Sequence, residues 1–570
     1  MSKESVDLQT LLNSNQFIVP SYEHYGGLSG FQDYGLLGSV VKNRLIQLWR
    51  QEFIQDQIYE VDTPSLVPYD VLKASGHVDR FTDPVVTDAK SNVYRADHLI
   101  KAYLKDHPEM DINVDNLSYE EMRVLILNHK LIDIADPTKF EIKAENLMFA
   151  TQDRTYLRPE LAQGIFVNFH QYYNYLKQLP FGVAQVGRSY RKEVSPKPLL
   201  RMREFTQAEI EYFFNPTEST STATQSYLDQ YTDIRLPLWT ASAQLNSEPS
   251  RSCSLEEALI PEGSTYVGHP LMGYFLLRIY QFAIKCGLKT DRMRLREHLP
   301  TEKAHYSASC WDLECLIEGD WIECVGCSYR QDYDLKAHRL PLKGNPRQVQ
   351  TLRKIKRDII GKRHGKDAKV ICDYLNRIKT VPDRTQLDTV IHNFTEQGHT
   401  SLLRNDGQPE ISIQSDCVEI GTETVYDDYY AHVIEPSFGI DRLMYAIFDH
   451  SLQTRETTLG EVRSIVSLPS YLAPYDVGVL QLSNKPELLA VVEELRQSVI
   501  KQGLKCFTDL SNTAIGRRYV RTDRSGIPFV FTVDFQSLED NTVTIRQRDD
   551  MSQRRVAIAD LLANCRDYLT

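Results

Sequence analysis

The sequence predicts an α+β fold, with an antiparallel sheet flanked by helices in the first 470 residues and a separate α/β domain behind it. Two β-compatible runs, Val183 to Val194 and Phe205 to Phe214, flank a loop that contains Pro196 and Pro198. This pattern indicates a strand, a turn and a returning strand. From about Tyr471 onward, helical and strand-like segments alternate, which is typical of a compact α/β domain.

The length and composition set limits on the class of protein. The chain has 570 residues, with 65 Lys and Arg against 77 Asp and Glu, so its formal net charge is −12. An acidic chain can contact nucleic acid only through local basic patches. The sequence lacks an apolar signal-peptide core and a run long enough to span a bilayer, so we expect no membrane association. Ten irregularly spaced cysteines favour a reducing cytoplasm.

Several stretches break the pattern of the main domain. Between 39 and 68 an amphipathic helix leads into a strand that ends at prolines, and by itself this could be ordinary core. Polar or mixed segments at about 88–146, 215–302 and 339–420 are predicted to be insertions. Within the last, residues 339–369 carry eleven Lys or Arg. Such a run suits either a solvated surface or the phosphates of a nucleic acid.

The strand pair carries charges that are unusual for a buried sheet. Side chains alternate along a strand, so Arg191 and Glu193 share one face, and Glu209 and Glu211 share a face on the returning strand. A face with these cations and carboxylates is suited to a ligand that has both phosphate and ammonium groups.

Two further charges lie at predicted helix starts. Glu160 precedes a helical pattern, where it is either a capping carboxylate or a ligand. Arg442 lies in the first turn of a helix that follows the strand HVIEPSFG, and there a cation opposes the helix dipole, so we expect an anionic partner. Cys310, Cys315, Cys324 and Cys327 lack the spacing of two zinc knuckles, so no structural zinc is expected.

Three stretches together resemble the class II aminoacyl-tRNA synthetases. The helix and strand of 39–68 are similar to motif 1, which is the dimer element. The run SYRKE with RMREF, within 181–214, is similar to motif 2, and FGIDR, within 432–450, is similar to motif 3. The phrases RPELAQG, REFTQAEIEYF, WIECVG and VIEPSFGIDR resemble the homodimeric glycyl-tRNA synthetases specifically. Residues 1–470 would then be the catalytic domain and residues 471–570 the anticodon-binding domain.

The resemblance implies a substrate set and roles for single residues. The substrates would be ATP, glycine and tRNA(Gly), with Mg²⁺ as the metal and a cytoplasmic homodimer as the active form. Arg191 and Arg442 would be the catalytic cations, on the α-phosphate and the γ-phosphate. The implied ATP-binding residues are Arg191, Lys192, Glu193, Arg201, Met202, Phe205, Glu323, Cys324 and Arg442.

The same resemblance implies a glycine site made of Glu160, Glu209, Glu435, Pro436 and Ser437, with Glu323 as a ligand of Mg²⁺. Several carboxylates suit an ammonium group, and exclusion of larger amino acids would come from bulk. Two alternatives remain open. One is a class II synthetase for another amino acid, and the other is an inactive relative that serves as a nucleic-acid-binding accessory protein, which should have lost the phosphate-binding arginines.

Overall fold

The computed structural model describes residues 7–569, apart from 108, 111, 115–116, 218–221, 261–262, 264, 304–306, 382, 404–409 and 457–461. The chain forms two compact units, and each is described by itself. One consists of 1–340 with 431–570, and the other of 341–430.

The centre of the first unit is a nine-stranded sheet, whose strands we number in chain order. They are β1 (Ile58–Glu60), β2 (Phe181–Tyr190), β3 (Glu204–Phe214), β4 (Arg235–Trp239), β5 (Arg251–Ser254), β6 (Met293–Glu297), β7 (Ser309–Ile317), β8 (Asp320–Gln331) and β9 (His432–Gly439). Their order across the sheet is β5-β4-β6-β7-β8-β9-β3-β2-β1. All neighbours are antiparallel except the pairs β1 with β2 and β4 with β6. The predicted antiparallel sheet is confirmed.

The strands β2 and β3 are the two strands of the predicted strand-turn-strand element, and they pair with each other. Its register runs from Phe213 opposite Phe181 to Glu204 opposite Tyr190. The first strand ends at Tyr190 and not at Val194, because the backbone of Lys192 turns away to donate a hydrogen bond to the Leu147 carbonyl. The charged residues that follow Tyr190 therefore lie at the end of the strand and not within it.

Helices pack on this sheet through apolar stripes. The helix Gly38–Phe53 buries Val41, Leu45, Trp49 and Phe53, as its 3.6-residue periodicity predicts. The helices of this part are Leu8–Ser14, Gly38–Phe53, Tyr69–Ala74, His77–Arg80, Ala162–Phe166, Phe169–Leu176, Thr222–Gln230, Ala241–Leu245, Leu255–Ala258, Pro270–Lys285, Tyr333–Ala337 and Ile440–Ser451. Short strand pairs are Ile18–Pro20 with Gln32–Tyr34, Leu66–Pro68 with Thr155–Leu157, and Leu452–Glu456 with Val462–Val466.

The first two predicted insertions differ in their relation to this sheet. The segment near 88–146 has its own small apolar core, built from the strands Thr82–Thr87, Val93–Arg95 and Lys143–Asn146 and the helices Ala96–Lys105 and Tyr119–Asn128. The segment 215–302 instead supplies β4, β5 and β6 to the large sheet. Its strands are short and pair with each other and with β7, so their local pattern gave no sign of the sheet that they extend.

The C-terminal region is a five-stranded sheet with four helices. Its strands, in spatial order, are Cys506–Thr508, Val477–Gln481, Phe529–Val533, Thr542–Gln547 and Gln553–Ala557. The helices are Pro486–Lys501, Ile515–Arg524, Phe535–Asp540 and Ile558–Asn564. Together they enclose a separate apolar core. The predicted α/β domain at this end of the chain is confirmed.

The unit 341–430 is built on a long antiparallel ribbon. The strands Leu342–Ile355 and Val418–Tyr429 pair along almost their whole length, and His399–Leu402 pairs with Ile411–Gln414. The helices Arg357–His364, Ala368–Thr380 and Thr385–Glu396 bury apolar residues in a core of this unit's own. In the described part of the chain, no helix is both long enough and apolar enough to cross a membrane.

Candidate active site

A cavity of about 280 Å³ lies over the ends of β3, β8 and β9, beneath the loop that joins β2 to β3. It brings together residues that are far apart in the chain. Of the predicted site residues, those that line it are Glu160, Arg191, Glu193, Arg201, Met202, Phe205, Glu209, Glu323, Cys324, Glu435, Ser437 and Arg442. Two predicted residues do not line it. Lys192 pairs with Glu145, and Pro436 is buried within β9 beside Cys327.

Arg191 is held between two aromatic rings at the wall of this cavity. Its guanidinium carbon lies 5.2 Å from the ring centre of Phe81 and 5.2 Å from that of Phe205. Its Nε donates to the Pro159 carbonyl at 3.2 Å. These contacts restrain the guanidinium group, so the side chain can offer its remaining N–H groups with little further loss of rotamer freedom.

The β2–β3 loop also positions Arg201 and Glu193. Arg201 Nη1 donates toward the ring nitrogens of His98, at 2.9 and 3.1 Å. Burial and the positive charges of Arg95 and Arg201 lower the pKa of His98 to about 4, so its ring can accept this bond at neutral pH. Glu193 lies 3.9 Å from Arg201 and is 8 % exposed, with one buried carboxylate oxygen that makes no hydrogen bond. Glu193 therefore has capacity for a ligand donor.

Arg442 lies in the first turn of the helix Ile440–Ser451, which β9 leads into directly. Its Nε donates to the Leu200 carbonyl and its Nη1 donates to the Glu323 carbonyl, both at 2.9 Å. The Glu323 carboxylate lies 3.3 Å from Nη1, which is the anionic partner expected for a cation at a helix N terminus. Burial opposes ionisation of Glu323, but Arg442 lowers its pKa overall.

Deeper in the cavity, Glu209 and Ser437 lie opposite each other on β3 and β9. Glu209 accepts hydrogen bonds from Ser437 Oγ at 2.8 Å, Gln207 Nε2 at 2.8 Å and the Leu161 backbone N–H at 2.7 Å. Burial and the nearby Glu160 charge raise the pKa of Glu209. This carboxyl group is thus oriented from three directions.

Glu160 and Glu435 complete the acidic end of the cavity. Glu160 lies 3.3 Å from His77 Nε2 and accepts from Gln163 Nε2 at 3.0 Å. Burial opposes its ionisation, yet His77 and Arg330 bring the pKa of Glu160 well below its usual range. For Glu435, burial together with Glu209 and Glu160 outweighs the pull of Arg330 and raises the pKa to about 8.

Comparisons with known proteins decide the family. The model of the tRNA synthetase class II core domain (G, H, P, S and T) matches residues 146–451, more than half of the chain, and the anticodon binding domain matches residues 476–568. The glycine–tRNA ligase of Methanocaldococcus jannaschii is 36 % identical over 590 residues, covering 99 % of this chain and 98 % of that protein. The chain belongs to the glycine–tRNA ligases of class II.

Other relatives agree with this family. The glycine–tRNA ligase of Drosophila melanogaster is 35 % identical over 616 residues, which cover 100 % of this chain and 78 % of the relative. The solved structure of Giardia lamblia prolyl-tRNA synthetase in complex with prolyl-adenylate aligns with a TM-score of 0.51 at 11 % identity, covering 97 % of this chain and 74 % of that one. At this identity the structural match shows the fold alone.

The cavity of this glycine–tRNA ligase family member also contains residues that the sequence did not indicate as part of the site, namely His298, Cys310 and Asp312. His298 Nε2 and Asp312 Oδ2 lie 2.7 Å apart, and Cys310 Sγ lies 3.1 Å from Ser328 Oγ. Burial lowers the pKa of His298, but the bonds to Asp312 and Cys310 outweigh it and raise the pKa to about 11. The alternation of Cys310 with Asp312 along one strand was the available signal, since both side chains must share a face.

The residues of the cavity fit a magnesium ion that arrives with a nucleotide. Mg²⁺ prefers oxygen ligands and usually takes one or two carboxylates together with substrate phosphates. Glu323 and Asp312 both line the cavity, and both lie close to Gly326, because a Cβ there would lie 3.7 Å from Asp312 Oδ1 and 3.9 Å from Glu323 Oε1. When bound, the ion would neutralise phosphate charge.

Proposed function

We propose that this member of the family activates glycine with ATP to glycyl-adenylate in the cavity described above, which releases pyrophosphate, and then transfers the glycyl group to the 3′ end of tRNA(Gly), which releases AMP. One observation carries the proposal. Two arginines, each restrained by neighbouring groups, and a buried set of carboxylates line the same cavity. The arginines suit phosphates and the carboxylates suit an ammonium group, so a single space can hold ATP next to an amino acid.

Arg191 and Arg442 are proposed to act on the phosphates. Arg191 would contact the α-phosphate and the glycine carboxylate, whose oxygen attacks phosphorus as the bond to pyrophosphate breaks. Arg442 would contact the γ-phosphate of a bent ATP. Both side chains are restrained by neighbours, so they can stabilise the developing charge without reorganising during the reaction. Positioning then supplies most of the catalysis, and no protein nucleophile is needed.

The adenine is proposed to stack on Phe205 beside Arg201, with Met202 on the wall and Glu193 accepting from the exocyclic amino group. The unbonded oxygen of Glu193 supports this assignment. Cys324 lines the same part of the cavity. Lys192 would reach ATP only by leaving Glu145, and it stays a prediction.

Glycine is proposed to place its ammonium group among Glu160, Glu209 and Glu435, with Ser437 beside them. Each of these carboxylates lines the cavity, and Glu209 and Glu435 are 1 % and 7 % exposed. Pro436 lies between Glu435 and Ser437 on β9 and would act by fixing the backbone that positions these two residues. A substrate with a side chain would be rejected by clash with this packed wall. Glu323, with Asp312, would hold Mg²⁺.

The assembly, the compartment and the role of the C-terminal region are proposed as well. A homodimer is supported by β1, which is the edge of the large sheet, and by Tyr59 and Leu66, which are 44 % and 52 % exposed. We propose the cytoplasm as its compartment and residues 471–570 as the region that reads the anticodon. The division into a catalytic domain over 1–470, with insertions at 88–146, 215–302 and 339–420, stays a prediction.

Exchange of radioactive pyrophosphate into ATP tests the proposal. With all twenty amino acids offered separately, we expect glycine alone to support exchange, and we expect alanine and serine to be at least about a hundredfold less efficient. Comparable exchange with another amino acid would favour a synthetase of different specificity. Exchange with none, in a protein that still binds tRNA, would favour an inactive accessory protein.

A further inference from the structure

Glu211 is a buried carboxyl group that has no role in the reaction described above. It lies on β3 two residues after Glu209, so both side chains point to the same face of the sheet. The register that pairs Glu209 with Ser437 and Tyr212 with Ile434 places Glu211 opposite Glu435. One carboxylate oxygen from each of Glu209, Glu211 and Glu435 lies within 4.8 Å of the others. Glu211 thus lies behind the proposed ammonium site.

Glu211 is unusual because its carboxyl oxygens lack partners. The side chain is fully buried, and neither oxygen makes a hydrogen bond. An ionised carboxylate in such a place carries a large desolvation cost, whereas a neutral carboxylic acid carries a much smaller one. Glu209, in contrast, accepts three hydrogen bonds.

The carboxyl groups around Glu211 outnumber the cations that contact them. Arg330 contacts Glu435 at 2.7 Å, but it also binds Asp334 through two hydrogen bonds, at 2.7 and 2.9 Å. Its single charge is therefore shared between two acids. The titratable groups that face this region from the packed elements are Glu209 on β3, Glu435 on β9, Arg330 on β8, Asp334 on the helix Tyr333–Ala337, Glu160 before the helix Ala162–Phe166, and His77 on the helix His77–Arg80.

We propose that the ammonium group of glycine displaces a proton from the buried Glu211–Glu435 pair, so that uptake of glycine releases a proton to solvent. In this step a carboxylic O–H bond breaks, its proton leaves to solvent, and the arriving ammonium charge takes its place. Glu435 touches glycine, whereas Glu211 is a positioning residue that acts through Glu435. The inference rests on the proposed function, because it takes glycine as the ligand of these carboxylates.

The proton linkage predicts how affinity depends on pH. Burial and the Glu435 charge raise the pKa of Glu211 well above its ordinary value, and Glu435 itself titrates at a pKa of about 8. Glycine prefers the ionised pair, so below this pH each binding event must expel a proton. The KM for glycine should therefore fall by up to about tenfold per pH unit as the pH rises toward 8, and then become constant.

Isothermal titration calorimetry of the full chain with glycine measures the released proton directly. The heat is recorded at one near-neutral pH in phosphate, HEPES and Tris, whose ionisation enthalpies differ, so that its dependence on the buffer gives the number of protons released. We expect up to about one proton per bound glycine. A buffer-independent heat at every pH between about 6 and 9 would overturn the inference without any variant being needed.

The Glu211→Gln variant tests whether Glu211 sets this linkage. Glutamine keeps the shape of the side chain but cannot ionise, so the proton that Glu211 holds against the charge of Glu435 is no longer present to be released. We expect proton release to fall to about half or less and the pH profile of the KM for glycine to shift to lower pH. Glu204→Gln is the matched control, because Glu204 lies on the same strand, outside the cavity, and pairs with Arg188.

The outcomes separate this inference from the proposed function. Glycine-dependent pyrophosphate exchange with no proton release leaves the proposed function in place and overturns the inference. Unchanged proton release and an unchanged KM profile in Glu211→Gln show that Glu211 is only structural, which also overturns it. Absence of any glycine-dependent exchange in the unmodified chain overturns both.

Discussion

Arg191 is restrained by two aromatic rings and a backbone carbonyl, and this determines what its removal should cost. Phe81 lies between the helix His77–Arg80 and the strand Thr82–Thr87, whereas Phe205 lies on β3, so two separate parts of the chain hold one arginine. We expect Arg191→Ala to lower the rate of pyrophosphate exchange by roughly 10²–10³-fold, because a fixed donor aimed at developing charge is lost. Arg191→Lys should restore little of it, since ammonium lacks the planar fork.

The control for this prediction is Arg188→Ala, on β2 shortly before Arg191. Arg188 is exposed and lies 3.5 Å from Glu204, away from the cavity. Exchange by this variant should stay within about twofold of the unmodified chain, as expected for an exposed ion pair. Near-normal exchange by Arg191→Ala would remove Arg191 from the reaction.

Glu211 also affects the stability of the protein without ligand. Its pKa is raised on folding, so between the ordinary glutamate value of 4.5 and its folded value the native state holds a proton that the unfolded state has lost. Stability from this group therefore falls as the pH rises through that window. We expect Glu211→Gln to equal the unmodified chain in stability near pH 4 and to become the more stable of the two as the pH rises toward 8. Urea unfolding at both pH values measures this, and a constant difference would contradict it.

The helix Ala96–Lys105 shows how an insertion can influence the proposed nucleotide site. Its His98 accepts a hydrogen bond from Arg201, and Arg95 beside it forms ion pairs with Asp83 and Asp97. The same insertion supplies Glu145, the partner of Lys192. Two residues of the β2–β3 loop are thus tied to a segment that the sequence presents only as a polar interruption.

We expect His98→Ala to raise the KM for ATP by about tenfold, because a hydrogen bond to a charged group contributes about 1.5 kcal/mol and its loss frees Arg201 to move. The KM for glycine should change little, since the hydrogen bonds to the proposed glycine ligands Glu209 and Glu435 come from residues outside this helix. His107→Ala, on a histidine just beyond the helix that contacts Tyr103, is the control. Pyrophosphate exchange at varied ATP and varied glycine separates the two effects, and an equal rise in both constants would refute the assignment.

The helix Gly38–Phe53 connects the large sheet to the C-terminal domain. Its Arg44 forms two parallel hydrogen bonds to Asp476, each at 2.9 Å, and Asp476 also accepts from the Lys505 backbone N–H. Arg455 adds a second connection through Asp523. These bonds fix the position of the region that matches an anticodon binding domain relative to the cavity.

We expect Arg44→Ala to slow tRNA charging several-fold more than pyrophosphate exchange, because glycine activation needs only the cavity whereas charging needs both ends of the tRNA in register. Asp476→Ala should have the same effect, and the double variant should be no worse than either single variant. Equal losses in both assays would show that the ion pair only stabilises the fold.

Much of this architecture can be predicted from local sequence patterns, but contacts between residues that are distant in the chain cannot. The β2–β3 pair, the amphipathic helix Gly38–Phe53 and the cavity-facing Glu209 follow from alternation and periodicity, which depend on neighbours in the chain. The contacts of Arg330 and His98 depend on residues far away in the sequence. The predicted identities of the bound groups came from the resemblance and not from the pattern.

The C-terminal arginines show this limit clearly. Taken alone, the sequence predicts a basic side of this domain, suited to a polynucleotide, from Arg517, Arg518, Arg521, Arg524, Arg546 and Arg548. Three of these arginines are Arg518, Arg546 and Arg548. The structure corrects this, because these three are 2 %, 4 % and 3 % exposed. Arg546 pairs with Asp523, Arg518 donates to the carbonyls of Asp509 and Thr513, and Arg548 donates to those of Gly526 and Leu468. A one-letter pattern cannot distinguish an arginine that faces a polynucleotide from one that satisfies buried carbonyls.

The ribbon of the 341–430 unit has a consequence for how this chain can change. Its strands Leu342–Ile355 and Val418–Tyr429 pair from one end to the other, and Leu342 lies directly opposite Tyr429. The chain therefore enters and leaves the unit at neighbouring positions, a hydrogen-bonded strand pair apart. A short turn between residues 340 and 431 could close the same gap. We therefore expect that the unit can be lengthened, exchanged or removed between these two positions without changing the strand register in the rest of the chain.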